Sequence, residues 1–345
     1  HAKVTCVCGE WLIRLVKDQY PELEFIPVSE KPSFHGFYAC YFCAVFPENR
    51  KNWRPSDHQN FGMTGSVAKL LGVSTSPQKI RLKLDAPRPF PEPYVCISAM
   101  GSNPCKHWNY PDGWNILCRY LKRLGYRVLI IDRDRELNFA GKRCTIPAEA
   151  EDWTGLKPIS ERIAVLQHAE FFVGLPSGLS WLAWNCNVPV VMLVGFTLEG
   201  SEFPTPYRVT NFNACHGCWN DSNIFFDPTA PVWCPRHLGT PREIECSRAI
   251  TPKMVIDTVN RIPAVAKRIA AKKKAKPEIS VIITSYHGDF LGETLASIER
   301  MLVKSGVFGE IILYDDASPS ASDQLRLSEL ASRYPDILHI YRGKE

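Results

Sequence analysis

Two rhythms of apolar positions divide the chain. From Tyr94 onward, short runs with few polar interruptions (YVCISAM, YRVLIID, EFFVGL, PVVMLVG) alternate with segments that are apolar every three or four positions (DGWNILCRYLKRLG, ISERIAVLQHA, SGLSWLAWNCN, TPKMVIDTVNRI). Fully apolar runs of strand length between amphipathic helices predict a parallel sheet covered on both faces. The right-handed crossover then makes this a Rossmann-like α/β domain. Ser160 is a candidate N-cap, and Gly125 marks a helix end. Ahead of it, GEWLIRLVKDQYP and MTGSVAKLLGV read as helices, the latter ending at Gly72, and LEFIPV and the aromatic run GFYACYFCAVF read as strands. The proline-rich stretch KLDAPRPFPEP separates the two regions. The expected division is an N-terminal Rossmann-like domain over 1–88, a second one over 89–262, and a basic linker over 263–278. A further β-α-β beginning then occupies 279–345, where ISVIITSYHGDF precedes a helix and EIILYDDAS.

A length of 345 residues accommodates two domains and part of a third. With 45% hydrophobic and 22% charged residues the chain is of globular type. No apolar run approaches the roughly 18 residues of a membrane-spanning helix, so membrane insertion is not expected. The amphipathic, charged opening HAKVTCVCGEWL is unlike a signal peptide, and without an initiator Met it reads as a clipped start that lacks a first strand and Gly-rich turn. Net charge is +5, but between Arg261 and Glu278 seven basic residues face one acid, leaving about −1 for everything else. A nucleic-acid partner would ask for a basic face on a folded domain, so none is expected, and the run reads as a solvated linker.

Thirteen cysteines, an odd number, point to a reducing compartment rather than a disulfide framework. Most, such as Cys96, Cys118 and Cys186, sit in apolar runs as small hydrophobes, and the aromatic-flanked CYFC reads the same way. Cys215, Cys218, Cys234 and Cys246 differ: they punctuate an irregular, proline-bearing loop that needs something to hold it. Four thiolates suit a closed, structural zinc or iron site, with His216 and His237 as alternative ligands. Disulfides and free thiols are the competing readings.

Three further places carry chemistry. In FFVGLPSGLSWLAW a strand meets a helix through a Ser-Gly turn. The free N–H groups at that helix start make an anion site, or the junction is a plain αβ turn. Lys106 follows the first strand of its domain, at the end where open α/β sheets bind ligands, and could neutralise a departing diphosphate. Asp132, ending YRVLIID, could contact the ribose or adenine of a nucleotide or simply close a turn. A base for attack by a hydroxyl is sought in NWRPSDHQNFG, where Asp57 and His58 are candidates.

The Ser-Gly run is similar to the donor-phosphate loop of bacterial heptosyltransferases, whose GT-B fold pairs two Rossmann-like domains across a cleft. The spacing K-x-W-x-x-P-x-x-W beginning at Lys106 matches one group of them. GLPSGLSWLAWNCNVPVVMLVGFTLEGSEF, NACHGCWND and WCPRHLGTPREIECSRAITP together resemble the autotransporter (strand-loop-strand) O-heptosyltransferases of Gram-negative bacteria, over roughly residues 1–262. The resemblance implies backbone binding of the donor phosphates by Ser177, Gly178, Leu179 and Ser180, with Lys106 and Asp132 also at the donor. It implies Asp57 as the catalytic base and one structural iron on Cys215, Cys218, Cys234 and Cys246, with zinc as the alternative. It further implies ADP-heptose as donor, serine hydroxyls of an autotransporter passenger as acceptor, inversion, a dodecameric homo-oligomer and the bacterial cytoplasm. The chain departs from many bacterial heptosyltransferases at Pro176 and Trp181, so side-chain roles there do not carry over, and from the autotransporter group's more basic local pattern at His58 and Gln59, which bears on the acceptor contacts. The trailing segment resembles the start of a family 2 glycosyltransferase of GT-A fold, with Asp315 and Asp316 ending its second strand. Competing functions are a lipopolysaccharide-core-type heptosyltransferase and a non-catalytic, metal-stapled sugar-nucleotide scaffold.

Overall fold

The computed structural model describes residues 3–41, 43, 56–139, 142–224, 226–227, 229–274, 277–305, 307, 309–318, 320–334 and 336–343, apart from the side chains at 56, 57, 142, 273 and 274. The chain opens with β1 (Thr5–Cys8), α1 (Glu10–Val16), β2 (Glu24–Pro27) and α2 (Ser56–Leu71). β1 and β2 pair in parallel as a two-stranded sheet. Among the described residues this first region is thus smaller than the Rossmann-like domain expected for it. No strand forms over the described part of GFYACYFCAVF, where residues 36–41 and 43 lie exposed without a ladder partner to reward the aromatic β propensity. α2 begins earlier than its pattern suggested and breaks at Gly62, whose φ of 67° and ψ of 176° are not helical.

The second region holds β3 (Tyr94–Ile97), α3 (Gly113–Arg123), β4 (Arg127–Ile130), β5 (Glu136–Phe139), β6 (Lys142–Thr145), β7 (Glu151–Asp152), α4 (Ile159–Leu166), β8 (Phe172–Gly174), α5 (Gly178–Asn185), β9 (Val190–Leu193) and β10 (Arg208–Val209). It closes with α6 (Glu245–Arg248), α7 (Pro252–Asn260) and α8 (Pro263–Lys274). Its six-stranded sheet has the order β10-β9-β8-β3-β4-β7, with every pair parallel. Alternate side chains supply two cores. Val95, Ile97, Val128, Ile130 and Val173 pack toward α3 and α7, and Cys96, Leu129, Phe172, Val190 and Met192 toward α4 and α5. β5 and β6 form an antiparallel hairpin outside this sheet, which the apolar pattern did not signal. Ser160 does not cap α4: Pro158 occupies the N-cap position, without a side-chain hydrogen bond.

From β3 the chain adds β4 and β7 on one side and then returns to add β8, β9 and β10 on the other. The order therefore reverses between β3 and β8, and the loops leaving those two strands face each other across a crevice.

The basic stretch begins as a helix rather than a linker. Ala, Lys and Arg are strong helix formers, and one face of α8 is packed: Val265 is buried and the Arg268 guanidinium lies 4.4 Å from the centre of the Tyr126 ring. Then come β11 (Ile279–Ser285), α9 (Leu291–Ser305), β12 (Gly309–Asp315), α10 (Ala321–Arg333) and β13 (Leu338–Arg342), a three-stranded parallel sheet in the order β11-β12-β13. This segment rests on α3. The Glu299 carboxylate, 1% exposed, pairs with Arg119 at 2.7 Å and Arg123 at 2.5 Å, and Arg123 also meets Asp336 at 2.7 Å.

Candidate functional site

At the crevice between β3 and β8, a buried carboxylate shapes one rim. Asp132, 2% exposed, accepts from Ser98 Oγ at 2.6 Å through one oxygen. Through the other it accepts from the backbone N–H groups of Ala99 at 2.7 Å and Met100 at 3.2 Å. Arg162 donates to the Asp132 backbone carbonyl at 2.9 Å. Burial pushes the Asp132 carboxyl up to about 6, against the pull of these hydrogen bonds and of Arg162. The residue expected at an open nucleotide rim is spent on fixing the turn after β3, because a carboxylate at the end of a buried strand is the nearest acceptor for that turn's free N–H groups.

The rest of this loop is held as firmly. His107, buried, sits 2.9 Å from the Gly101 N–H, and desolvation lowers its basicity. Asn103 caps the short helical turn Pro104–Lys106 by accepting from the Cys105 N–H at 3.1 Å. It also donates to Ala230 O at 2.9 Å and accepts from Trp233 N–H at 3.2 Å, tying the turn to the cysteine-bearing loop. The dipeptide Asn-Pro was the available signal for this cap, and it went unread. Lys106 ends the turn with its Nζ 3.1 Å from Ser102 Oγ.

Across the crevice, the turn from β8 into α5 needs small residues. A Cβ on Gly174 would lie 2.4 Å from the Phe172 ring and 3.1 Å from Ser180 Oγ. Ser180 is fully buried and its hydroxyl donates to Leu175 O, locking the turn from within, and Leu179 packs partly into the sheet core. Ser177 is the N-cap of α5 but makes no side-chain capping bond. The first N–H groups of a helix lack intrahelical acceptors, and the space over Gly178 is open, with no atom within 4 Å of a Cβ placed there. Ser177, Gly178 and Leu179 therefore keep their backbone N–H groups at an open helix start, whereas the Ser180 hydroxyl acts from behind it.

A cleft of about 300 Å³ opens here, lined among others by Lys106, Pro176, Trp181, Ser201, Glu202 and Trp219. Met63 of α2 reaches into it from the N-terminal region. Glu202, missed in the sequence, is 8% exposed, accepts from Thr197 Oγ1 at 2.8 Å and pairs with Arg208 at 2.8 Å. The backbone of Asp57 lies in the first turn of α2, but its side chain lies outside the described residues.

Cys215, Cys218, Cys234 and Cys246 come together around Trp219, Trp233 and Ile244, joined by Cys105 from the Lys106 turn. Cys218 and Cys215 are hydrogen-bonded, and the Ile244 N–H donates to Cys234 Sγ at 3.3 Å. Burial, and then the neighbouring thiols Cys218, Cys105, Cys234 and Cys215, push the Cys246 thiol up to about 12. All four are free thiols, and no group of His, Cys, Asp or Glu among the described residues is arranged to hold an ion. The donor set fits iron or zinc in kind, being four sulfur donors, three on the loop that follows β10 and Cys246 in α6.

Residues 58–222 match glycosyltransferase family 9 (heptosyltransferase). The chain is 42% identical to the autotransporter heptosyltransferase TibC of Escherichia coli O78:H11 over 75% of its own length and 64% of TibC. It is 43% identical to the autotransporter heptosyltransferase Aah of Escherichia coli, over 76% of this chain and 67% of Aah. It is 38% identical to BimC of Burkholderia thailandensis, described as an inactive autotransporter heptosyltransferase, over 77% of this chain and 63% of BimC. The match thus spans about two thirds of these relatives' length. A crystal structure of TibC, described as an iron-containing dodecameric glycosyltransferase, superposes with a TM-score of 0.73 and 41% identity over 77% of this chain and 69% of TibC. A second TibC structure, in complex with ADP-D-β-D-heptose, gives 0.72 and 42% identity over 76% and 68%. The α/β glycosyltransferase fold is therefore shared, and by sequence and structure the chain belongs to the autotransporter heptosyltransferases of glycosyltransferase family 9.

Proposed function

We propose that this chain transfers heptose from ADP-heptose to serine hydroxyls of an autotransporter passenger protein, with inversion, in the bacterial cytoplasm. The observation that carries this reading is that Lys106 lines one cleft with Pro176, just ahead of the α5 start, and Trp181 in the first turn of α5, at the point where the strand order reverses. A diphosphate lying there gains the lysine charge and the helix-start N–H groups as the glycosidic bond to heptose breaks, so negative charge is met where it develops. The Asp132 and Asn103 networks hold the Lys106 loop in place before the donor arrives, and the Ser180 bond does the same for the α5 turn. Asp57 is the proposed base, taking the proton from the serine hydroxyl as its oxygen attacks the anomeric carbon. Cys215, Cys218, Cys234 and Cys246 are the proposed ligands of one structural iron, which would staple their loop once bound; TibC's description as iron-containing supports that metal over zinc. Twelve-fold assembly is proposed on the same ground. Residues 279–345, with Asp315 ending β12 and Asp316 following it, are proposed to open a second, GT-A-type transferase domain.

A second reading, a sugar-nucleotide scaffold without turnover, is favoured by the resemblance to BimC, which is described as inactive. One experiment separates the two: the wild type, Asp57→Ala and Lys106→Ala are each given ADP-heptose and a passenger repeat. ADP release and the mass gain of the passenger are measured alongside calorimetric ADP-heptose binding. Transfer by the wild type, abolished in Asp57→Ala with donor binding retained, supports the enzyme. Tight donor binding without transfer by the wild type supports the scaffold.

A further inference from the structure

The helix that begins beside Asp57 is fastened to the donor cleft by two amide side chains. Gln59, 2% exposed, donates through Nε2 to Asp221 O at 2.9 Å and to Ile224 O at 3.0 Å. Asn220 answers by donating to the Gln59 backbone carbonyl at 2.6 Å. The same Asn220 accepts from the Leu198 N–H at 2.7 Å and from Ser201 Oγ at 3.2 Å. Three segments distant in sequence are thereby joined: α2, the loop holding Ser201 and Glu202, and the loop holding Trp219 and Phe226. All three contribute to the cleft, α2 through Met63.

The backbone fit agrees with the side chains. The kink of α2 falls at Gly62, where an added Cβ would stand 2.8 Å from the carbonyl oxygens of both Gly200 and Ser201. The helix therefore breaks at the point where it touches the cleft wall. His58 packs edge-on against Trp219, with ring centroids 5.3 Å apart. Gln59 also keeps its Oε1 buried without a hydrogen-bond partner among the described residues. An apolar side chain would avoid that desolvation cost but could not donate to the two carbonyls.

We propose that Gln59 and Asn220 are positioning residues for the transfer reaction, setting the distance between α2 and the donor-binding wall of the cleft. This rests on the transfer reading above. Because α2 carries acceptor-side groups while ADP is held across the crevice, losing either amide separates the two partners of the reaction without emptying the nucleotide site. An offset on the order of 1 Å between reacting groups costs up to about 100-fold in rate.

The test uses the whole chain with Gln59→Ala, Asn220→Ala and Gly62→Ala. Steady-state transfer, ADP affinity by calorimetry and amide hydrogen exchange of α2 are measured on each. The expected result is a kcat lower by about 10- to 100-fold, ADP affinity within about threefold of wild type, and α2 exchange faster by about tenfold with β3 and β8 unchanged. Unaltered α2 exchange, or an ADP affinity and β3 protection that fall together with kcat, would overturn the positioning role. A wild type that transfers no heptose sinks the transfer reading alone; the claim that the two amides hold α2 then stands or falls on the exchange comparison.

Discussion

Replacing Asp132 tests whether the loop after β3 is held by a buried charge or by hydrogen bonds. Its carboxyl has an ordinary value of 3.8 and is raised to about 6 by burial. That difference corresponds to roughly 3 kcal/mol by which burial disfavours the ionised form. The sign follows from proton counting. Between about 4 and 6 the folded chain binds the proton and the unfolded chain does not, so wild-type stability rises as pH falls through this window and levels off below it. Asp132→Asn removes the titration while keeping the shape. Its amide oxygen can accept from the Ala99 and Met100 N–H groups, and its amide nitrogen can donate to Ser98 Oγ, whose hydroxyl reverses role. At neutral pH the variant avoids the buried charge but gives up charge-assisted bonds, so it should lie within about 1 kcal/mol of wild type. As pH is lowered, its stability relative to wild type should decline by up to about 3 kcal/mol. Asp132→Ala leaves the three donors without their acceptor and should lie about 3–5 kcal/mol below Asp132→Asn at any pH, since neither variant titrates there. Urea unfolding followed by tryptophan fluorescence, stepped from about pH 7 to about pH 4, reads all three proteins. A stability difference between Asp132→Asn and wild type that stays flat across that range would refute the reasoning.

Gly178→Ala should leave thermal stability unchanged or slightly raised, since a Cβ there meets no atom within 4 Å. It should still weaken ADP binding by about tenfold or more by capping the space over the helix start, which calorimetry measures. Cys234→Ser should lower bound iron per chain, read by elemental mass spectrometry, and lower the melting temperature of metal-loaded protein; equal iron content in variant and wild type would contradict the ligand assignment. Glu299→Ala leaves Arg119 and Arg123 without their shared partner and should weaken docking of the C-terminal segment by about 3–5 kcal/mol, seen as faster proteolysis after α8 with unchanged protection of β3.

The parallel sheet was legible because its strands are apolar on both faces, and Tyr94–Ile97 or Val190–Leu193 have no other reading beside amphipathic helices. The α5 turn was legible for a related reason: Ser-Gly after a buried strand has few conformational alternatives. What escaped are features decided by partners far away in the chain. Gln59 and Asn220 meet across 161 residues, and no periodicity announces such a pair. Asp132 could be read toward solvent or toward its own loop, and only the path of Ser98–Met100 decides. The hairpin β5–β6 has too few apolar residues to show a period of two, and α8 was masked by a charge run that suits a solvated linker equally well. The described part of GFYACYFCAVF shows the converse: strong β propensity predicts a strand only where a neighbouring strand exists to pair with it.

The buried Glu299 also bears on how the protein is made. On the ribosome, Arg123 emerges 176 residues ahead of its partner, an interval of roughly 10–35 s at ordinary elongation rates. That is ample time for the sheet around β3 to close while its two arginines remain hydrated by water. The C-terminal segment then arrives at a finished surface and trades that hydration for ion pairs. Assembly thus follows the direction of synthesis, and α3 serves as a landing site that is complete before its counterpart exists.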